Sequence, residues 1–159
     1  MFIIKDMSWQ DYFNKTIKTR YYYKDRHVVS LPNNLQMPPT DDLTGLFQGC
    51  FLLQDISALA NWDVSNVTDI SYMFRGCSRL QDITALANWN VSSVEDMSGM
   101  FYDCESLRDI SALANWNISR VGFMEKMFYK CQQLEDITAL YNWNIFDIEE
   151  IFNKSPDCE

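Results

Sequence analysis

The sequence predicts an α/β fold: a solenoid of stacked coils, each built from short parallel strands and short helical turns. Three observations predict it. The segment LQDISALANW at 53–62 returns with small changes at 80–89, 107–116 and 134–143, a step of 27 residues each time. Residues 53–79 laid over 80–106 agree at 17 of 27 positions. Ladders of chemically distinct residues keep the same step: Cys50, Cys77, Cys104 and Cys131, with Cys158 beyond; Phe47, Phe74, Phe101 and Phe128; Trp62, Trp89, Trp116 and Trp143; Asn61, Asn88, Asn115 and Asn142. A fixed step of this length marks repeats that cannot bury their apolar side alone and stack to do so.

Taken in order, residues 1–34 read as an N-terminal helical cap. Ser8 and Asp11 resemble a helix start, and Trp9, Tyr12, Phe13 and Ile17 form one stripe, so a helix over 8–20 is expected to lie on the first coil. Residues 35–159 read as a solenoid of about four and a half repeats, in a single domain with the cap. The first coil is degenerate, with Leu35 in the tryptophan position, but keeps Leu43, Leu46, Phe47 and Cys50. In a full coil, Leu80, Ile83 and Leu86 suggest a short strand, and Asn88 and Asn90 break it. Val91 and Val94 suggest an extended stretch. Met97, Met100, Phe101 and Cys104 have helical spacing, with Asp96 or Ser98 as the cap. Coils spaced about 4.8 Å apart, as paired strands are, would each bury about ten apolar side chains, at about 1.5–3 kcal/mol for each large one. The last coil decays: Tyr141 replaces alanine, Ser155 stands where phenylalanine is due, and Glu149 and Glu150 add charge. This suits a C-terminal cap.

The ladders are read as structure first. The cysteines lack a C-x-x-C pair and the single histidine is His27, so neither a metal centre nor a disulfide framework is indicated; buried reduced thiols are expected. Like charges of Asp55, Asp82, Asp109 and Asp136 stacked about 5 Å apart repel by about 0.8 kcal/mol per neighbour even in water. Backbone N–H donors are the expected compensation and calcium the alternative. The asparagines are expected to point inward at a corner. The tryptophans are expected in the core, with an aromatic binding strip as the alternative.

The net charge is −9. A nucleic-acid-coating role is disfavoured, because phosphate backbones demand clustered positive charge. Residues 1–27 carry six Lys/Arg against three Asp/Glu, and residues 28–159 seven against nineteen, balances of +3 and −12. No apolar run reaches the length of a membrane span. The first six residues are too short and too soon charged for a signal peptide, so a cytoplasmic setting is expected. No P-loop, G-x-S-x-G or H-E-x-x-H motif occurs. A non-enzymatic, monomeric protein with no cofactor, no metal, no nucleic acid, no membrane contact and a protein partner is the resulting expectation.

The segment NWDVSNVTDISYMFRGC at 61–77 resembles the repeat of the BspA-like leucine-rich-repeat family of surface proteins, and residues 40–145 carry the pattern. The resemblance implies a right-handed leucine-rich-repeat-like solenoid that binds other macromolecules. It also supplies the alternative of an exported, adhesin-type cell-surface protein that binds host or matrix proteins.

A partner would meet what varies over a constant scaffold. Three columns vary: Gln48, Arg75, Tyr102 and Tyr129; Tyr72, Gly99 and Lys126; Asn66, Ser93 and Arg120. Tyr and Arg are favoured at interfaces, so Tyr72, Arg75, Tyr102, Arg120 and Tyr129 are the expected binding residues. Gln54, Gln81, Arg108 and Glu135 form a rival face.

Overall fold

Within one coil, buried residues recur chiefly at every third position: Leu80, Ile83, Leu86 and Trp89, then Val91, Val94, Met97 and Met100, then Phe101 and Cys104. All ten are at most 4% exposed. Three residues per turn is the repeat of a tight i→i+3 turn, whereas a pleated strand alternates with a period of two. The computed structural model, which describes residues 9–15 and 20–152, follows the period of three. The N–H groups of Leu86, Trp89, Val94, Met100, Cys104 and Leu107 each donate to the carbonyl three residues back, at 2.9–3.2 Å. Short 3-10 helices occupy the same place in successive coils: Ser57–Asn61, Thr84–Leu86, Ser111–Leu113 and Thr138–Trp143.

Coils stack through a second set of bonds. The N–H groups of Ile70, Tyr72, Phe74 and Gly76 donate to the carbonyls of Asp96, Ser98, Met100 and Tyr102 at 2.8–3.0 Å. One coil on, Met97, Gly99, Phe101 and Asp103 donate to Phe123, Glu125, Met127 and Tyr129 in the same way. The N–H groups between them, those of Met73, Arg75 and Cys77, close turns onto Ile70, Tyr72 and Phe74. Every second peptide thus points along the stack, and its neighbours point along the chain. That alternation uses left-handed backbone at two positions per coil: Gly45, Tyr72, Gly99 and Lys126, and Gly49, Gly76, Asp103 and Lys130.

The α/β solenoid with parallel strands is therefore overturned, and the leucine-rich-repeat architecture implied by the resemblance goes with it. Among the described residues the one sheet is an antiparallel pair, β1 (Phe13–Lys15) and β2 (Tyr21–Tyr23). Parallel pairing between repeats is one residue wide, as in Asp42 with Asp69 and Asp69 with Asp96. The expected strand at 80–86 ends in a 3-10 turn, 91–94 is a turn, and the expected helix at 97–104 is a run of turns. Over 97–104 the reason is local: Gly99 and Asp103, left-handed and four apart, interrupt the right-handed helical backbone; over 80–94 it is the i→i+3 bonds of Leu86, Trp89 and Val94.

The N-terminal helix over 8–20 is also corrected. Helix α1 spans only Trp9–Tyr12, and the chain then enters the β1–β2 hairpin, pairing Phe13 with Tyr23 and Lys15 with Tyr21. The aromatic run Tyr21–Tyr23 favours a strand. It sets Tyr21 and Tyr23 inward beside Phe13. Phe13 packs on Phe47 at 6.2 Å and Trp62 at 6.3 Å, and the Tyr23 N–H donates to Leu46 at 2.7 Å. Ser8 and Ile17 lie outside the described residues.

From that hairpin the core runs the length of the stack. Rings of Phe47, Phe74, Phe101 and Phe128 stack at 5.6–5.7 Å and within 9° of parallel. Phe152 extends the column at 5.7 Å from the short helix α2 (Ile148–Phe152). Helix α2 accepts the N–H groups of Lys126 and Phe128 at Glu150 and Ile151. Ser155 and Cys158 lie outside the described residues.

Candidate docking face

The left-handed positions decide what the surface presents. A left-handed residue turns the chain sharply, and the N–H three residues further on closes the turn onto its carbonyl. Tyr72 and Arg75, Gly99 and Tyr102, and Lys126 and Tyr129 are such pairs, at 3.0–3.1 Å. Gly99 has no side chain, and the Tyr72 ring fills its space: a Cβ there would clash with Tyr72 Cε1 and Cδ1. Arg75 lies between two rings, 5.7 Å from that of Tyr72 and 4.8 Å from that of Tyr102. Tyr102 continues to Tyr129 at 4.9 Å, and the Lys130 ammonium stands 5.9 Å from the Tyr129 ring.

Four of the five sequence-predicted binding residues, Tyr72, Arg75, Tyr102 and Tyr129, therefore make one contiguous cluster. Its three tyrosines are half-buried and Arg75 is exposed. Arg120 contacts a different group: its guanidinium pairs with Glu95 at 3.2 Å, and both are exposed. One cluster member, Lys130, was not singled out as a binding residue. The signal for its position was present in the glycines, because Gly45, Gly49, Gly76 and Gly99 fall only on the two left-handed positions of the repeat. Those positions mark the corner on which the cluster is built.

The ladders hold the face in place. Each tryptophan of the ladder is at most 8% exposed, and its Nε1–H donates to a backbone carbonyl of the preceding coil: Trp62 to Leu35, Trp89 to Leu59, Trp116 to Leu86 and Trp143 to Leu113, at 2.9–3.1 Å. Cys50, Cys77, Cys104 and Cys131 are buried free thiols. Cys77, Cys104 and Cys131 direct Sγ to the carbonyls of Phe47, Phe74 and Phe101 at 3.2–3.3 Å. Burial pushes the thiols up, Cys50 to about 11 and Cys131 to about 12, so they stay protonated at neutral pH.

The inward asparagine ladder is corrected: Asn61, Asn88, Asn115 and Asn142 are all exposed. The corners are closed by other residues. Asp55, Asp82, Asp109 and Asp136 accept the N–H two residues on, from Ser57, Thr84, Ser111 and Thr138. Asp69 and Asp96 do the same for Ser71 and Ser98, and Asp63, Asn90 and Asn117 for Ser65, Ser92 and Ser119. Such Asx turns substitute a side-chain acceptor for a backbone one. The Ser57 N–H holds the Asp55 carboxyl below the usual carboxylate range, and the Thr138 N–H does the same for Asp136.

On the rival face, Gln54, Asp55, Ser57, Asp82 and Thr84 help line a cavity of about 430 Å³. Arg108 and Glu135 line another of about 360 Å³. No helix of the described residues is long and apolar enough to cross a membrane.

A family model described as "Mycoplasma protein of unknown function, DUF285" matches residues 41–158. No curated protein and no solved structure matches the chain.

Proposed function

The chain belongs to that family, and from this premise we propose that it is a non-enzymatic protein–protein interaction module. The stack is the scaffold, and Tyr72, Arg75, Tyr102 and Tyr129 are the contact residues. One observation carries the reading: the Arg75 guanidinium is held between two tyrosine rings, and the third tyrosine continues the same surface. Aromatic and arginine side chains held in place before contact lose little rotamer freedom on binding. Inter-coil backbone bonds run directly beneath them, which supports a rigid, pre-formed surface. The finer affiliation with BspA-like repeats rests on the motif at 61–77 and belongs to the same proposal. So does the cytoplasmic setting, which the ladder of buried thiols supports.

Capture from a native lysate tests the reading, with the wild-type chain compared against Tyr102→Ala/Tyr129→Ala. Both proteins are first matched by circular dichroism and thermal midpoint. A partner held by the wild type and lost from the variant is the expected result. Identical recovery by both removes this face from the function.

A further inference from the structure

The core opens to solvent near the end of the stack. Val64, Val67 and Ile70, and one coil on Val91, Val94 and Met97, are at most 1% exposed. Their counterparts in the fourth coil, Ile118, Val121 and Met124, are only half-buried. The cause is a change of register. Asn144 is left-handed, with φ +53°, which the equivalent Asp63, Asn90 and Asn117 are not. The N–H groups of Lys126 and Phe128 then donate to residues 24 and 23 positions on, whereas those of Met97 and Phe101 donate 26 positions on. Fewer residues are left to cover the fourth coil. A cavity of about 290 Å³ opens along it, lined in part by Ile118, Val121, Met124, Ile145 and Phe146.

The sequence changes at the same place. Phe146 stands where earlier coils have Ser65, Ser92 and Ser119, and Phe123 where they have Asp42, Asp69 and Asp96. Phe146 is fully exposed and Phe123 is 58% exposed. Polar positions of the repeat thus become aromatic beside open core, and contiguous exposed apolar surface marks a contact site.

The charge around this groove has one prevailing sign. Asp147 and Glu150 line it, and no Lys or Arg does. On adjoining positions stand Glu95, Glu125 and Glu149 against Arg120 and Lys126. Five carboxylates against two cations leave −3, and Arg120 is already paired with Glu95 at 3.2 Å. Asp147, Glu149 and Glu150 have no cation partner among the described residues. Acidic proteins, phosphate backbones and anionic lipid surfaces are repelled there. Occupants from this chain fit poorly too. Residues 153–159 hold Lys154 against Asp157 and Glu159. The cations of the N-terminal hairpin region are engaged where they stand: Arg20 with Asp42, Lys24 with the Gln10 and Asp11 carbonyls, and Arg26 with the Gln48 carbonyl.

From the open core and the sign of its rim we propose that the groove docks an apolar segment of a partner protein flanked by Lys or Arg. Its apolar side chains pack on Ile118, Val121 and Phe146, and its cations meet Asp147 and Glu150. This site is separate from the tyrosine face and goes beyond the reading of that face. Burial of apolar surface supplies the affinity, and the carboxylates set orientation and partner choice.

Subtractive panning of a random peptide library displayed on phage tests the proposal. The library is depleted on an immobilised Phe146→Ser/Asp147→Asn/Glu150→Gln chain and then selected on the wild type. Enriched peptides are labelled and titrated by anisotropy against the wild type, Phe146→Ser, Asp147→Asn/Glu150→Gln and Tyr102→Ala/Tyr129→Ala. The expected result is enrichment of apolar peptides flanked by Lys or Arg. Their affinity falls about tenfold with Phe146→Ser, weakens with Asp147→Asn/Glu150→Gln and with added salt, and is unchanged by Tyr102→Ala/Tyr129→Ala. Failure of any peptide to enrich over the depleting chain overturns the site. Acidic or uncharged peptides overturn the basic partner. Binding that Tyr102→Ala/Tyr129→Ala removes and Phe146→Ser leaves intact overturns the groove and supports the tyrosine face. Self-association of the wild type in sedimentation velocity that Phe146→Ser abolishes makes a second copy the occupant and overturns a separate partner. Phe146, Asp147 and Glu150 are exposed, so these substitutions leave the core unaltered.

Discussion

Asp55 and Asp136 show how one side chain closes a corner. Each carboxylate takes a backbone N–H two residues on, and each is held below its ordinary value by that bond. The folded state therefore favours the ionised form. That contribution is complete above the unfolded value, near pH 4, and is lost as pH falls through the lowered folded value. The thiols act at the other end. Cys50 and Cys131 are pushed up by burial, so their contribution is complete below the unfolded value and is lost as pH rises toward about 11 and about 12. Thermal midpoints followed by circular dichroism are expected to level off near neutrality and to fall on both sides. Asp55→Asn/Asp136→Asn keeps the acceptor oxygen, as Asn90 and Asn117 already do, and is expected to flatten the acid limb. An acid limb identical to the wild type's would show that these bonds do not couple to folding. The aspartate ladder and its backbone donors were legible in the sequence because D-x-S/T recurs in one register. The asparagine ladder was misread because a polar ladder on a stack is as compatible with solvent as with the interior.

At the scale of the element, the unit is a tight turn with a left-handed residue. Gly99 sits at φ +58° under the Tyr72 ring. Gly99→Ala is expected to cost about 1–2 kcal/mol from the left-handed backbone alone, and more because the ring is displaced from Arg75. In a Tyr72→Ala background the steric part vanishes. The two costs are then expected to differ by about 0.5 kcal/mol or more, read from urea denaturation as a double-mutant cycle. Equal costs in both backgrounds would mean that the ring does not occupy the glycine's space. These turns were partly visible beforehand. Leu80, Ile83, Leu86 and Trp89 are three apart, which is a turn spacing, and reading it as a strand overrode the period in favour of the β-branched and aliphatic composition. The N-terminal stripe likewise suited a helix, but Tyr23 pairs with Phe13 across a hairpin, and the Phe13 ring is buried there.

For the whole molecule, stability is shared between neighbouring coils. Each gives peptide N–H groups and a phenylalanine ring to the next coil and its tryptophan donor to the preceding one. Removing residues 80–106 takes out one full period and is expected to set Phe74 on Phe128. Such a chain is expected to unfold cooperatively with a lower thermal midpoint and a smaller dependence on urea, because less surface is exposed on unfolding. Removing residues 80–105 takes out 26 and shifts every buried position by one, so loss of the cooperative transition is expected. A 26-residue deletion as stable as the 27-residue one would refute registered stacking.

The sequence by itself determined the period, the buried ladders and the columns free to vary. Those follow from spacing and from the cost of leaving apolar side chains in water, and Leu53, Trp62, Phe74 and Cys77 repeat them openly. Tertiary structure alone decided how the backbone runs between the buried residues and which variable columns meet. Peptides that alternate between chain and stack need partners 26 residues away, and no local propensity encodes such a partner. The same long-range bonds place Arg75 between Tyr72 and Tyr102 and leave Arg120 with Glu95.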